Sequence, residues 1–259
     1  MSVSAHERPS PLLRRGFGLA RAAWGRALDL VFPPSCLACR TAVDAVGGLC
    51  PACWGAMRFI EKPYCERLGT PFEADYGGEL ISLAAADDPP VYGRARAVAR
   101  FEDGPARRLV HCLKYSDRID LARPMAAWMV RAGAELLADC DLIAPVPLHA
   151  GRLMRRQFNQ AAALAGAIAS HSGKPMLLGT LRRVKATRSQ VGLTKISRAA
   201  NVQGAFAAGD AAGVRGKSVL LVDDVLTSGA TVNAASRALL RAGAKNVDVL
   251  VFARVVTRA

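Results

Sequence analysis

Aromatic residues and long apolar runs are both scarce in this chain of 259 residues. The first shortage argues against a dedicated reader of single-stranded nucleic acid, and the second against a membrane-spanning protein. No apolar run reaches the ~18 residues that a membrane-spanning helix needs. The N-terminus has no compact apolar stretch with a small-residue cleavage site, so we expect no signal peptide and a cytoplasmic location. Phe, Trp and Tyr make up 6% of the chain. That share weakens the case for a dedicated reader of single-stranded nucleic acid, because such proteins stack bases on aromatic side chains.

Two common nucleotide-binding fingerprints are missing as well. No Gly-x-x-x-x-Gly-Lys-Ser/Thr loop occurs, and Gly16-Phe17-Gly18 has neither the third glycine nor the preceding strand of a dinucleotide-binding turn. The sequence also shows no low-complexity tract and no internal repeat. We therefore expect neither a P-loop protein nor a Rossmann-type dinucleotide-binding protein.

Positive charge is what the chain has in excess. Its 35 Lys and Arg residues against 21 Asp and Glu residues give a net charge of +14, and 51% of its residues are apolar. The apolar share is enough for a real core, so disorder is not expected. The charge favours a polyanionic partner, either a nucleic acid or a diphosphate ligand, but a solubilising surface would carry it equally well. Charge by itself does not choose between these alternatives.

Three regions follow one another along the chain. Residues 1–32 form a basic amphipathic segment, whose helical periodicity over residues 13–32 ends at Pro33-Pro34. Such a helix either packs on its own domain or makes peripheral contact with a membrane surface. Residues 33–90 are rich in Gly, Pro and Cys, and residues 91–259 alternate between strand and helix patterns. We therefore predict a small cysteine-bearing module followed by a larger domain.

The larger domain is predicted to be α/β. The patterns place strands at 96–101, 142–147, 180–184, 219–222 and 247–253, and helices at 105–115, 121–137, 160–170 and 231–241. Such alternation implies a parallel sheet flanked by helices, in which ligands bind beyond the carboxyl ends of the strands. The polar, basic stretch 185–201 is predicted to be a mobile loop.

The most informative stretch runs from Val219 to Thr231. Four apolar residues predict a buried strand, and Asp223 and Asp224 follow at its carboxyl end. A small, hydroxyl-rich turn then leads into a helix, whose free N–H groups can enclose a phosphate. Two carboxylates repel a bare phosphate but suit a ribose diol beside it, because the hydroxyls can donate to them; a solvated turn is the alternative. We predict ribose binding by Asp223 and Asp224, and 5-phosphate binding by Thr227, Ser228, Gly229, Ala230 and Thr231.

Seven cysteines in such a chain favour metal ligation or core packing over disulfides. The pairs Cys36-x-x-Cys39 and Cys50-x-x-Cys53 are separated by ten residues, so four thiolates can surround one tetrahedral zinc ion. Ordinary small core residues are the alternative. We predict one structural Zn²⁺ held by Cys36, Cys39, Cys50 and Cys53. Cys112 and Cys140 are expected to be core or partly exposed thiols.

The stretch from Val219 to Thr231 resembles the phosphoribosyl diphosphate (PRPP) motif of type I phosphoribosyltransferases. From about Phe32 onward, further motifs resemble the competence protein F (ComF) family: the N-terminal cysteine pairs, Pro145-Val146-Pro147-Leu148-His149, Arg155-Arg156-Gln157-Phe158-Asn159-Gln160-Ala161, Arg188-x-Gln190 and Arg198-x-x-Asn201-x-x-Gly204-Ala205-Phe206. The resemblance implies a type I phosphoribosyltransferase-like parallel sheet with a small N-terminal zinc-ribbon-like module.

The resemblance also bears on the remaining cysteine. The family commonly carries a second set of cysteines, but here Cys65 stands alone and Leu68 occupies the expected position of its partner. The stretch from Glu79 to Leu83 offers no further cysteine. We therefore predict that the second metal site is lost and replaced by apolar packing.

An enzyme that uses PRPP must neutralise the negative charge of its diphosphate. Mg²⁺, together with basic side chains or backbone N–H groups, usually does this. The loop after the 142–147 strand leads into a helix and is predicted to bind the diphosphate through Arg152, Arg155 and Arg156, with a solvated basic face as the alternative. A second basic stretch resembles the flexible hood of the family, and its closure would exclude water. The hood residues are Lys185, Arg188 and Gln190. No catalytic residue is assigned. His149 could act as a general acid, but an ordinary loop histidine explains it equally well.

Two functions from different classes fit these features. The first is an enzyme that transfers a phosphoribosyl group from Mg-PRPP to an unknown acceptor and releases pyrophosphate. The second, implied by the ComF resemblance, is a non-catalytic accessory factor in DNA uptake, which binds single-stranded DNA and uses PRPP as a ligand. The intact stretch from Asp223 to Thr231 argues against a degenerate scaffold.

Overall fold

The computed structural model describes residues 33–75, 77–78, 80–115, 118–148, 158–185, 195–209 and 211–256. The chain forms two compact units, which divide between Pro51 and Ala52. The domain boundary at residue 90 stays a prediction, and the basic segment predicted over residues 1–32 lies outside the described residues. Within the described ranges, no helix is both long and apolar enough to cross a lipid bilayer.

Four parallel strands form the centre of the second unit, which confirms the predicted sheet. They are β1 (Ala95–Arg100), β2 (Leu142–Pro145), β5 (Ser218–Leu226) and β6 (Asn246–Arg254), in the order β1–β6–β5–β2. Leu221 of β5 pairs with Ala144 of β2 on one side and with Val249 of β6 on the other. Most side chains of these strands are buried, as expected of a parallel sheet covered on both faces. Two short strands, β3 (Leu181–Arg183) and β4 (Phe206–Ala208), form a separate antiparallel pair.

Helices connect the strands and pack against them. They are α1 (Pro51–Gly55), α2 (Leu83–Asp87), α3 (Pro105–Tyr115), α4 (Ala122–Ala132), α5 (Ala134–Asp139), α6 (Gln160–Ser172), α7 (Lys195–Val202) and α8 (Ala230–Arg241). A single 3₁₀ turn, Ile119–Leu121, precedes α4. The bounds of α3 agree with the prediction, and those of α6 and α8 differ from it by one or two residues.

The single helix predicted over residues 121–137 is wrong, because Gly133 divides it into α4 and α5. Gly133 has φ −108° and ψ 22°, outside the helical region. A side chain is excluded there, since a Cβ on Gly133 would lie only 2.7 Å from Cδ1 of Leu250. The close approach of the chain to β6 thus explains both the glycine and the break.

Strand β5 extends further than the predicted 219–222. Its pairing with β6 continues through Asp223, Val225 and Leu226, whose partners are Val251, Ala253 and Arg254. Asp223 and Asp224 therefore lie within the strand and not in the turn beyond it.

The mobile loop predicted over residues 185–201 is wrong in its last part, which forms helix α7. Val202 in the last turn of α7 is buried and belongs to the main core cluster. Val202 lies just beyond the predicted loop, whose polar composition gives no sign of the helix. Residues 186–194 of the predicted loop lie outside the described residues.

The free edge of β1 is covered by the chain segment that precedes it. The N–H of Ile60 donates to the carbonyl of Val98 (2.9 Å), and the N–H of Ala95 donates to the carbonyl of Arg67 (3.0 Å). The buried guanidinium of Arg96 forms ion pairs with Glu66 and Glu135. Residues 58–67 are therefore joined to the sheet by both backbone and side-chain contacts.

Candidate functional site

The four cysteines predicted to bind zinc lie together. The Sγ atoms of Cys36, Cys39, Cys50 and Cys53 are all within 4.8 Å of one another, and those of Cys39 and Cys50 are 3.6 Å apart. Four Zn–S bonds of ~2.3 Å in a tetrahedron place the sulfurs roughly 3.8 Å apart. The cluster therefore fits a zinc ion, which would hold the turns around it together.

A tight turn presents the first two of these cysteines. The N–H of Cys36 donates to the carbonyl of Thr41 (2.7 Å), and the N–H of Arg40 donates to the carbonyl of Cys36 (2.9 Å). Hydrogen bonding with Thr41 lowers the pKa of the Cys39 thiol to about 6. Since the thiolate is the form that binds a metal, this turn prepares Cys39 as a ligand.

The same turn occurs again 29 residues later, although the sequence shows no obvious repeat. The N–H of Cys65 donates to the carbonyl of Thr70 (2.8 Å), and the N–H of Gly69 donates to the carbonyl of Cys65 (2.6 Å). Antiparallel bridges flank both turns, at Ser35–Ala42 and at Tyr64–Pro71. We call residues 35–53 the first ribbon and residues 64–82 the second ribbon.

Hydrogen bonds surround the sulfur of Cys65 in the second ribbon. The Sγ atom accepts from the backbone N–H of Leu68 (3.4 Å), the N–H of Ser82 (3.3 Å) and the hydroxyl of Ser82 (3.3 Å). Burial raises the pKa of Cys65, but the hydrogen bonds from Ser82 and Leu68 outweigh it and lower the pKa. Leu68, at the position of the expected partner, packs against the main core cluster, as the predicted apolar replacement requires. Ser82 stands where the first ribbon has Cys53, so at that position a polar side chain replaces the ligand.

The two carboxylates of β5 have different surroundings. Asp224 is buried, and its Oδ2 lies 2.9 Å from Nζ of Lys114 in α3. The backbone N–H of Asp224 donates to Oδ1 of Asp223 (2.9 Å). Burial, and to a smaller extent the charge of Asp224, raises the pKa of Asp223 to about 7. Asp223 therefore titrates near neutral pH, while Asp224 has a lysine as its ion-pair partner.

Residues 227–231, the phosphate loop, lead into α8 with no side chain capping the helix. Gly229 is the N-cap residue and has φ 80°, a left-handed conformation that favours glycine. First-turn N–H groups without a side-chain cap are open to an anion. The hydroxyl of Ser228 is buried, and no described atom is its hydrogen-bond partner. The predicted phosphate residues are thus together at one helix N-terminus, three residues after the carboxylates.

Most of the predicted diphosphate and hood residues lie outside the described residues: Arg152, Arg155, Arg156, Arg188 and Gln190. Lys185 is described and is exposed just after β3. The structure also describes the residues on either side of the loop that contains Arg152, Arg155 and Arg156. Asn159, the N-cap of α6, accepts from the N–H of Ala161 (3.1 Å) and donates through Nδ2 to the carbonyl of Val146 (3.1 Å). This amide ties the start of α6 to the end of β2.

A cavity of about 430 Å³ lies beside the phosphate loop. One wall comes from the second ribbon and the segment before β1, and the other from the loop, α8 and the end of β6. Polar side chains in its lining include Thr70, Tyr92, Thr227, Ser228, Asn233 and Arg254. Arg254 is the residue that pairs with Leu226 at the carboxyl end of the sheet.

Three polar residues of this region are not among the predicted site residues. Asn159 directly precedes a helix pattern, so its role as an N-cap is a signal the sequence carries. Arg254 is a single charge at the carboxyl end of an apolar strand, which is also visible in the sequence. Lys114 is different, because its position against Asp224 depends on how α3 packs, and only the family resemblance points to it.

Two family models match the chain. One, described as a double zinc ribbon domain, matches residues 27–84, and the other, described as a phosphoribosyl transferase domain, matches residues 159–258. The first agrees with the two successive ribbons, and the second includes the acid pair and the phosphate loop. The chain therefore combines a zinc-ribbon module with a phosphoribosyltransferase-like domain.

Relatives cover most of the chain. The DNA utilization protein YhgH of Salmonella typhimurium is 31% identical over 234 residues, which is 88% of this chain and 100% of the relative. Competence protein F of Haemophilus influenzae is 28% identical over 226 residues, 85% of this chain and 96% of the relative. Among solved structures, the glutamine phosphoribosylpyrophosphate amidotransferase from B. subtilis, complexed with ADP and GMP, is 23% identical with a TM-score of 0.35. That match covers 54% of this chain and 30% of the amidotransferase.

Proposed function

Because the chain belongs to the competence protein F family, we propose that it is a phosphoribosyltransferase that acts on Mg-PRPP. The bond between ribose C1 and the diphosphate oxygen breaks, and a bond from C1 to a nucleophile of an unidentified acceptor forms. The electron pair of the broken bond leaves with pyrophosphate, and the proton of the acceptor passes to solvent or to a base. A cytoplasmic location, as the sequence predicts, is part of this proposal.

The observation that carries the proposal is the acid pair, whose second member Asp224 lies five residues before Gly229, the N-cap of a helix without a side-chain cap. A ribose 5-phosphate has a diol at one end and a dianion at the other, so it matches carboxylate acceptors followed by N–H donors. Asp223 and Asp224 accept from the ribose hydroxyls, and residues 227–231 bind the 5-phosphate. Lys114 balances the charge of Asp224, which limits repulsion between the acid pair and the anionic ligand.

Mg²⁺ would enter this site with the ligand. The ion prefers oxygen ligands and keeps several of its waters, so the diphosphate would hold most of it. The carboxylates of Asp223 and Asp224 are the protein oxygens available to it beside the ribose. When bound, Mg²⁺ neutralises charge on the leaving group.

Turnover is tested by pyrophosphate release. The purified chain is incubated with Mg-PRPP and a panel of bases, amines and single-stranded DNA, and released pyrophosphate is measured for each acceptor. We expect one acceptor class to raise release well above the rate with water alone, and the Asp223→Asn/Asp224→Asn double variant to abolish the increase. Mg-PRPP binding without any acceptor-dependent release would contradict an enzymatic role.

A second function is favoured by the names of the relatives, DNA utilization protein and competence protein F. In that case the chain binds single-stranded DNA as an accessory factor in DNA uptake, and PRPP is a ligand. Such binding should weaken steeply with salt, because each neutralised phosphate releases counterions. Substituting Arg155 and Arg156 by Gln should weaken it further. DNA binding that is insensitive to both changes would favour the enzyme.

A further inference from the structure

The cavity beside the phosphate loop contains a buried cation. The side chain of Arg254 lines this cavity, and the residue is only 6% exposed. Neither Nε nor Nη1 of Arg254 has a hydrogen-bond partner among the described residues. A guanidinium stays protonated even when buried, so this cation needs an anion or acceptors to offset its lost hydration.

Other arginines near the sheet, one buried and one partly exposed, have such partners. Arg96 pairs with Glu66 and Glu135, and Arg94 lies 2.8 Å from Asp248 and 2.7 Å from Asp139. For Arg254, burial lowers the pKa of the guanidinium, and the charges of Tyr92 and Cys65 act against this effect. Burial raises the pKa of Tyr92, which keeps its phenol neutral. Arg254 therefore differs from the arginines that serve the fold.

The polar side chains around Arg254 in the cavity are mostly groups that can donate a hydrogen bond. The buried hydroxyl of Ser228 has no described partner, and Gly229, the N-cap residue of α8, also lines the cavity. Oδ1 of Asn233 accepts from the N–H of Val91 (2.9 Å), which directs the amide N–H groups of Asn233 elsewhere. Its Nδ2 is 3.6 Å from the position a Cβ on Gly229 would take, so it lies against the phosphate loop. The acidic member of the lining, Asp88, is exposed, and its charge is screened by solvent.

We propose that this cavity is a binding site for a phosphate-type oxyanion and that Arg254 is the charged residue that holds it. A tetrahedral oxyanion accepts from the guanidinium, from Ser228 and from helix N–H groups at once, which matches the donor set of the cavity. The oxyanion is either the 5-phosphate of the sugar ligand or a free phosphate. The first source rests on the proposed function, whereas the second does not.

The test measures thermal unfolding of the full chain with increasing inorganic phosphate, and phosphate affinity by calorimetry. Phosphate should raise the Tm of the wild type, because it binds only the folded state. The Arg254→Met variant should lose on the order of ten- to a hundredfold in phosphate affinity, as expected for charge-assisted hydrogen bonds. Without phosphate, its Tm should equal or exceed that of the wild type, since an unpaired buried charge has been removed.

Arg67→Met is the matched control. Nη2 of Arg67 donates to the carbonyls of Pro90 and Tyr92 at 3.0 Å each, so this arginine supports the fold nearby. The control should lower the Tm and leave the phosphate-induced shift intact. If Arg254→Met does not fold, Arg254→Lys and Arg254→Gln replace it, and Lys should keep more of the phosphate affinity than Gln. A lower Tm for Arg254→Met together with unchanged phosphate affinity would overturn the proposal and make Arg254 structural.

Competition separates the two sources of the oxyanion. If the site binds the 5-phosphate, ribose 5-phosphate and inorganic phosphate should compete, and Arg254→Met should weaken both. If the site takes a free phosphate, both ligands should bind together, and only phosphate should depend on Arg254. The Asp223→Asn/Asp224→Asn variant should keep its affinity for phosphate in either case. A wild-type chain that binds phosphate through Arg254 but does not bind Mg-PRPP would refute the proposed function and leave this inference standing.

Discussion

The adjacent residues Asp223 and Asp224 show how position within one strand creates two different carboxylates. Asp224 is buried, and its carboxylate forms an ion pair with Lys114 at 2.9 Å. The carboxylate of Asp223 accepts a hydrogen bond from the backbone N–H of Asp224, and among the described residues it has no ion-pair partner. Burial and the neighbouring charge raise the pKa of Asp223 to about 7. A ligand whose hydroxyls donate to Asp223 would favour its ionised form, so binding should strengthen as pH rises through this range.

The raised pKa of Asp223 predicts a pH-dependent gain in stability for Asp223→Asn. The folded chain holds the Asp223 proton more tightly than the unfolded chain, whose Asp titrates near 3.8. The wild type therefore loses stability as pH rises from about 4 through about 7. Asp223→Asn removes this loss, and at pH 8 it should be more stable by on the order of 1 kcal/mol or more. Urea denaturation of the unliganded protein at pH 5, 6, 7 and 8 measures the difference.

Asp248→Asn is the matched control for this prediction. Asp248 is also buried, but it pairs with Arg94 at 2.8 Å. The same substitution there should destabilise the chain at pH 8, because it leaves Arg94 with a weakened partner. A difference between Asp223→Asn and wild type that stays constant with pH would contradict the assigned pKa.

Among the elements, the second ribbon keeps the turn of a zinc knuckle while its ligand positions have changed. Its turn has the same backbone hydrogen bonds as the first ribbon, and Gly69 (φ 64°) corresponds to Arg40 (φ 66°). Only glycine is possible at residue 69, because a Cβ would lie 2.3 Å from the carbonyl oxygen of Ala95. Hydrogen bonds from Ser82 and Leu68 take the place of metal bonds at Cys65. Packing against β1 thus maintains a turn that a metal would otherwise maintain.

Metal analysis should therefore give about one zinc per chain. Cys39→Ser should lose this zinc, since it removes a ligand of the four-cysteine cluster. Cys65→Ser should retain it, although it weakens the hydrogen bonds of the second ribbon. Plasma emission spectrometry on purified protein measures the stoichiometry. Two zinc ions per wild-type chain, or loss of zinc in Cys65→Ser, would contradict this assignment.

The strands and helices that the sequence predicts well are those with strong apolar periodicity. The parallel strands β2, β5 and β6 and the helices α3 and α8 come from such patterns, and their errors are confined to the ends. Gly133 breaks a helix because of its contact with Leu250, and Val202 anchors α7 in the core; both depend on tertiary packing. The length of β5 depends on its partner β6, so the position of the acid pair inside the strand could not be read from residues 219–224 alone.

For the molecule as a whole, the second ribbon and the carboxyl end of the sheet line the same cavity. The cavity beside the phosphate loop takes one wall from Leu68 and Thr70 and the other from Ser228 and Arg254. The net charge of +14 suits an anionic ligand or nucleic acid and does not distinguish them. The predicted ribose and phosphate residues are close together in the chain, as the motif indicates, while the fold brings Lys114 next to Asp224 and Arg254 next to the phosphate loop.

Calorimetry with PRPP tests the central claim most directly. Wild-type chain should bind PRPP only when Mg²⁺ is present, and Asp223→Asn/Asp224→Asn should lose on the order of tenfold or more in affinity, because hydrogen bonds from the ribose to charged acceptors are weakened. Asp141→Asn is the control, since Asp141 accepts from the N–H of Ser218 at the opposite end of β5 and should leave binding unchanged. Equal affinity of the double variant and the wild type, or no binding of Mg-PRPP to the wild type, would contradict the account.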